Sequence, residues 1–146
     1  MSIGDLTSSG AIPALEAAVR FAAQRHTLIT HNIANLSTPD FIPLDVSVPK
    51  FQQNLREAIE ARRGRSAGQF GELPLKDSDE VRVSPGGSLS LHPRSPSGNV
   101  LFRDRNNRDL ERNMQDLVEN TTAFRVASDL LRNRFDVLRM AISERV

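Results

Sequence analysis

Two stretches of this chain place apolar residues at spacings that alternate between four and three, the period of one helix face. In the first, Leu15, Val19, Ala22, His26, Ile29, Ile33 and Leu36 follow that rhythm, and all but His26 are apolar. Pro13 suits a first helical turn, and Ser8 or Ser9 stands ready as a cap. Thr38 precedes Pro39 and is pushed toward extended geometry, so the pattern predicts a helix over 12–35. In the second, Leu110, Met114, Leu117, Thr121, Phe124, Ser128, Leu131, Phe135, Leu138 and Ile142 keep the rhythm without a break. Asn106 or Asn107 is available to cap this helix, and Asp109 and Glu111 suit the positive end of its dipole. At 1.5 Å per residue the seam runs for about 48 Å, more than a small compact domain covers.

No Gly or Pro interrupts 14–38 or 99–146, whereas most of both lie between. The chain therefore divides into an N-terminal helical part (1–38), an irregular middle (39–105) and a C-terminal helical part (106–146). Within the middle, Leu44, Val46 and Val48 alternate as a short strand does. After Pro49, Phe51, Leu55, Ala58 and Ile59 predict a short amphipathic helix near 50–63, ended by Arg62, Arg63, Gly64 and Arg65. Beyond it only brief alternations remain, Val81 with Val83 and Leu89 with Leu91, in a segment rich in Gly, Pro and Ser. These are the marks of a small β-like insert or of disorder. The fold class expected is mainly α, with long terminal helices forming a coiled-coil-like pair around an irregular middle.

Composition narrows what such a chain does. Hydrophobic residues are 38% of the chain, the only aromatic residue is Phe, and mean hydropathy is −0.37. Burial must therefore come from aliphatic stripes rather than a thick aromatic core. Net charge is +1, giving no overall field toward nucleic acid or an anionic membrane. All cations except Lys50 and Lys76 are Arg, the side chain that best tolerates burial in interfaces. With no cysteine, disulfides, thiolate metal sites and cysteine nucleophiles are excluded. No cleaved secretory signal is expected at the N-terminus, and no run approaches the roughly 18 apolar residues that span a bilayer.

Candidate chemistry is sparse. His26 and His31 are five residues apart, about 140° around a helix, so they cannot share a ligand face. Asp77, Asp79 and Glu80 cluster without the glycine-bearing loop that calcium requires. The Arg62, Arg63, Arg65 group lacks the interleaved aromatics of a nucleic-acid reader. The reading is therefore of no enzyme, no cofactor, no metal, no nucleic acid and no small-molecule substrate. The two apolar stripes must be covered, either within one chain or between copies.

The run Asn32-Ile33-Ala34-Asn35-Leu36-Ser37-Thr38-Pro39-Asp40-Phe41 resembles the NIAN-x-x-TP-x-aromatic signature of the flagellar rod and hook axial family. Asn tolerates the left-handed geometry that ends a helix, and Thr-Pro forces an extended exit. The C-terminal run 106–114, with Glu119-Asn120, Leu130-Leu131, Phe135, Leu138-Arg139 and Ala141-Ile142, is similar to the ending of proximal-rod members of that family. The departures are Asp40, where the family often has Gly; Ile42-Pro43-Leu44, in place of a more basic run; and Arg105, where Gly is usual.

The resemblance implies a structural subunit that leaves through the flagellar type III export apparatus and stacks into the periplasm-spanning rod of the basal body. It implies as partners other copies, further rod proteins and the FliE adaptor of the membrane ring. It makes Leu15, Val19, Ala22, Ile29, Ile33, Leu110, Met114, Leu117, Phe124, Leu131, Phe135, Leu138 and Ile142 the expected assembly interface. Asn32, Asn35, Thr38 and Pro39 become the helix-exit motif. Phe51 and Leu55 resemble the family's export-gate motif, and the same two residues equally suit helix packing. The reading from another class is a soluble helical-bundle adaptor or export chaperone.

Overall fold

The computed structural model describes residues 10–64, 73–84, 87–95 and 109–143. Three helices and one hairpin follow in order: α1 (Ile12–Ala34), α2 (Val48–Arg63), β1 (Val81–Val83), β2 (Leu89–Leu91) and α3 (Leu110–Ser143). The mainly helical class, with long terminal helices around an irregular middle, is thus the one observed. No described helix is long and apolar enough to cross a membrane.

Pro13 occupies the first turn of α1, where its missing N–H costs nothing. Ser8 and Ser9 lie outside the described residues, as do Asn106 and Asn107. At the start of α3 the capping residue is Asp109, whose Oδ1 accepts from the Arg112 N–H at 3.0 Å.

Two faces of α1 are covered, where the pattern pointed to one. On the predicted stripe Ala22 and Ile29 are buried, Leu15, Val19 and Ile33 are half-buried, and His26 is exposed. A second line, Ala17, Phe21, Gln24 and Leu28, turns toward the middle of the chain. Ala17 and Phe21 join Val46, Phe51, Val81 and Leu89 in one apolar cluster, with Leu28 and Leu55 packed at its edge. Phe21 and Phe51 stack with ring centroids 3.9 Å apart and planes 3° from parallel, joining α1 to α2. Burying an aromatic side chain of that kind contributes about 1.5–3 kcal/mol.

The hairpin is tied to α1 by polar side chains. Gln24 Nε2 donates to the Leu89 carbonyl at 2.6 Å, and Gln24 Oε1 accepts from the Leu91 N–H at 3.3 Å. Arg20 Nη1 reaches the carbonyl of Gly87, a residue at φ +76° in the turn between the strands. β1 and β2 pair antiparallel with Val81 opposite Leu91 and Val83 opposite Leu89.

The alternation Leu44, Val46, Val48 is not a strand. Its pairing is one isolated bridge, Asp45 with Arg94, and Val48 already opens α2. Pro49, unable to donate to a ladder but suited to a first helical turn, converts the run into a helix start. Ser47 Oγ caps α2 by accepting from the Lys50 N–H. Glu80 supports the same end: its carboxylate accepts from Lys50 Nζ at 2.7 Å and from the Ser47 N–H at 2.6 Å. The bond from Lys50, aided by that from Ser47, holds the Glu80 carboxyl below its usual range despite burial.

α1 and α3 run antiparallel. Arg25 meets Asp116, Asn120 meets Ala22, and Leu15 shares a shallow depression with Val126, Ala127 and Leu130. That register sets Ile12 beside residue 130, so the last 13 residues of α3 project about 20 Å past the described start of α1.

Candidate assembly interface

The exit from α1 rests on two asparagines doing different work. Asn32 is buried, and its amide brackets the backbone of Leu44. Nδ2 donates to the Leu44 carbonyl at 2.8 Å and Oδ1 accepts from the Leu44 N–H at 3.1 Å. One side chain thereby satisfies both polar groups of a residue that has no ladder partner. Asn35 ends the helix with Nδ2 donating to the His31 carbonyl at 2.9 Å, while its Oδ1 accepts from Thr38 Oγ1 at 3.2 Å. Asn35 is not left-handed, with φ −104°; the left-handed residue is Asp40, at φ 58°. The sharp turn falls after Pro39 because Asn35 closes its last helical turn by side-chain bonding and leaves its own backbone relaxed.

Between α1 and α3 the buried contacts are largely polar. The Arg25 side chain is only 6% exposed, and its Nε and Nη2 meet Asp45 Oδ1 and Oδ2 at 3.0 and 2.7 Å. The same Nη2 reaches Asp116 Oδ1 at 3.1 Å, so one guanidinium joins α1, the lead-in to α2, and α3. Burial works against this charge, but the hydrogen bonds and charges of Asp45, followed by those of Asp116, outweigh it and raise Arg25 above its ordinary value. Four residues along α3, Asn120 Nδ2 donates to the Ala22 carbonyl at 2.8 Å in a buried bond.

The line of α3 that faces α1 is Asn113, Asn120 and Ala127, one residue per heptad. It runs beside the predicted seam rather than along it. Of the seam, Leu117, Leu131 and Leu138 are half-buried, while Leu110, Met114, Phe124, Phe135 and Ile142 are exposed. At 100° per residue, Phe124, Phe135 and Ile142 lie on one flank of the buried line, and Val126, Leu130 and Val137, also exposed, lie on the other. The second half of α3 thus carries exposed apolar residues across an arc about 180° wide, interrupted by Arg134, broader than one antiparallel partner covers. Large exposed apolar residues are concentrated on the part of α3 that extends past the described start of α1.

Phe51 and Leu55 belong to the core side of α2. Phe51 is buried under Phe21 and Leu55 is half-buried, so the folded chain does not present this pair to a receptor. The residues missed in sequence reasoning are Arg25, Asp45, Asp116 and Asn120. Their partners lie 20, 91 and 98 positions away, and no local spacing signals such a meeting.

The class defined by this architecture is a mainly helical protein in which two paired terminal helices flank a small folded insert, and one of them carries large exposed apolar residues that no described element packs against. Similarity to a known protein points the same way. The chain is 25% identical over 136 residues to the flagellar basal body rod protein FlgB of Bacillus subtilis (strain 168), spanning 92% of this chain and 95% of that protein. The resemblance carried by the two terminal motifs therefore extends over nearly the whole length of both proteins. No protein-family profile matches the chain.

Proposed function

We propose that this protein is a structural, non-catalytic subunit of the bacterial flagellar basal-body rod. It reaches the periplasm-spanning rod through the type III export apparatus, and joins other copies and other rod proteins, including the FliE adaptor, through its terminal helices. The observation that carries this reading is the projecting, apolar second half of α3 in a chain similar to a rod protein along nearly its full length. A monomer that left so much apolar surface in water would gain little from it, whereas each large side chain buried on assembly contributes roughly 1.5–3 kcal/mol.

Phe124 lies near the middle of α3 and on its exposed flank. Phe124→Asp is expected to leave the helix pair folded, because the residue lies beside the buried line of α3 and not on it, yet to stop rod formation and motility by placing an unpaired charge in the contact. Arg132→Ala, exposed on the charged face about 80° around α3 from Phe124, is expected to be nearly neutral. Swimming assays with fractionation of the exported protein check this. A Phe124→Asp strain that swims normally would remove α3 from the assembly account, whereas loss of the protein from the cell would point to misfolding.

A further inference from the structure

α3 contains a repeat that the fold uses once. Asp109, Leu110 and Asn113 recur seven residues on as Asp116, Leu117 and Asn120, and the second set supplies both polar contacts to α1, Asp116 to Arg25 and Asn120 to the Ala22 carbonyl. The first set lies one heptad nearer the start of the helix. There Asp109 caps the first turn, and Asn113 Nδ2 bonds the Asp109 carbonyl at 2.6 Å within α3 itself. A displacement of α3 along α1 by one heptad brings Asp109 to the place of Asp116, and Asn113 to the place of Asn120.

We infer that Arg25 is a register pin with two matching sockets, Asp116 with Asn120 and Asp109 with Asn113, so that α3 has two docking registers on α1 one heptad apart. Other registers lose polar contacts. A heptad slip in the opposite sense sets Ala123 against Arg25 and removes one of its two carboxylates, while slips of three or four residues turn α3 by about 40–60° and carry Asn120 away from the Ala22 carbonyl. Asp45 lies on the lead-in to α2 and stays with Arg25 in both registers. The occupied register is the better one, because it buries Ala127 where the alternative sets Asn120 beside Leu15. Moving to the second register lengthens the projecting part of α3 by about 10 Å. The polar seam therefore controls how much apolar helix is offered to a neighbour, a registry role well attested for buried polar groups in paired helices.

The chain has no cysteine, so spin labels on Thr30→Cys and Arg132→Cys, two exposed positions on α1 and α3, report the register directly by pulsed dipolar spectroscopy of the full-length protein. Asp116→Leu with Asn120→Leu empties the occupied socket and leaves Arg25 with Asp45 alone unless α3 slips by one heptad to bring Asp109 to it. The expected result is a label separation longer by about 10 Å with helicity retained. Adding Asp109→Ser and Asn113→Leu, which keeps the helix cap but removes the second socket, is expected to abolish that longer distance. An unchanged distance in the first variant, or separation of the helices without a new defined distance, overturns the two-socket reading. Because the measurement is made on the isolated chain, its outcome is independent of whether the protein builds a rod.

Discussion

Asp40 holds φ at 58°, a region that most L-residues enter at a cost of about 1–2 kcal/mol and that Asp and Asn enter more readily. Glycine, which the resemblance to the rod and hook family leads one to expect at this position, enters the same region without strain. Asp40→Gly is expected to change stability by less than about 0.5 kcal/mol, since relief of strain is offset by greater freedom of the unfolded chain. Asp40→Val, β-branched and without a local hydrogen bond to offer, is expected to cost about 1–2 kcal/mol. Urea unfolding of the three proteins compares them, and equal midpoints for Asp40 and Val would show that the backbone relaxes out of the left-handed region. Asn32 makes the related point that a motif residue can be structural: its amide closes both backbone groups of Leu44, work that requires a donor and an acceptor on one side chain.

Between elements, the contact of α1 with α2 rests on the Phe21–Phe51 stack, which separates packing from signalling. Phe21→Ala and Phe51→Ala remove the same stack from opposite sides, and each is expected to cost about 3–5 kcal/mol. Only Phe51, with Leu55, belongs to the sequence that resembles an export-gate motif. If that motif acts, it is read before folding buries it, and Phe51→Ala with Leu55→Ala holds the protein in the cytoplasm while Phe21→Ala is still secreted. Immunoblots of cytoplasmic and exported fractions decide between them. Equal secretion of both variants would leave Phe51 and Leu55 as packing residues alone.

Across the whole molecule, stability is distributed unevenly. α1 is covered on two faces, by α3 and by the insert, whereas α3 from Leu131 onward passes beyond the described part of α1. An isolated helical end of that length gains little from propensity and opens locally at small cost. Amide hydrogen exchange on the dilute monomer is expected to show strong protection over 21–29 and weak protection over 131–143, and assembly is expected to slow exchange in the latter by orders of magnitude. Uniform strong protection of both in a proven monomer would favour a self-sufficient bundle, as in an adaptor or chaperone.

What the sequence determined by itself is local. The alternation of four and three specifies two long helices, Pro13 opens the first of them and Asn35 closes it, whereas Val81 with Val83 and Leu89 with Leu91 left a small β insert and disorder both open. An apolar stripe states that a face must be covered, not what covers it. Tertiary structure decided that α1 shares its two faces between α3 and the insert, and that Val81 to Val83 and Leu89 to Leu91 pair as a hairpin against α1. It also decided that α3 docks through Asn113, Asn120 and Ala127 beside its apolar seam. The reason is electrostatic and nonlocal. Arg25 is buried on α1 and needs carboxylates, these come from Asp45 and Asp116, and satisfying them rotates α3 so that Phe124 and Phe135 stay partly exposed beside the contact.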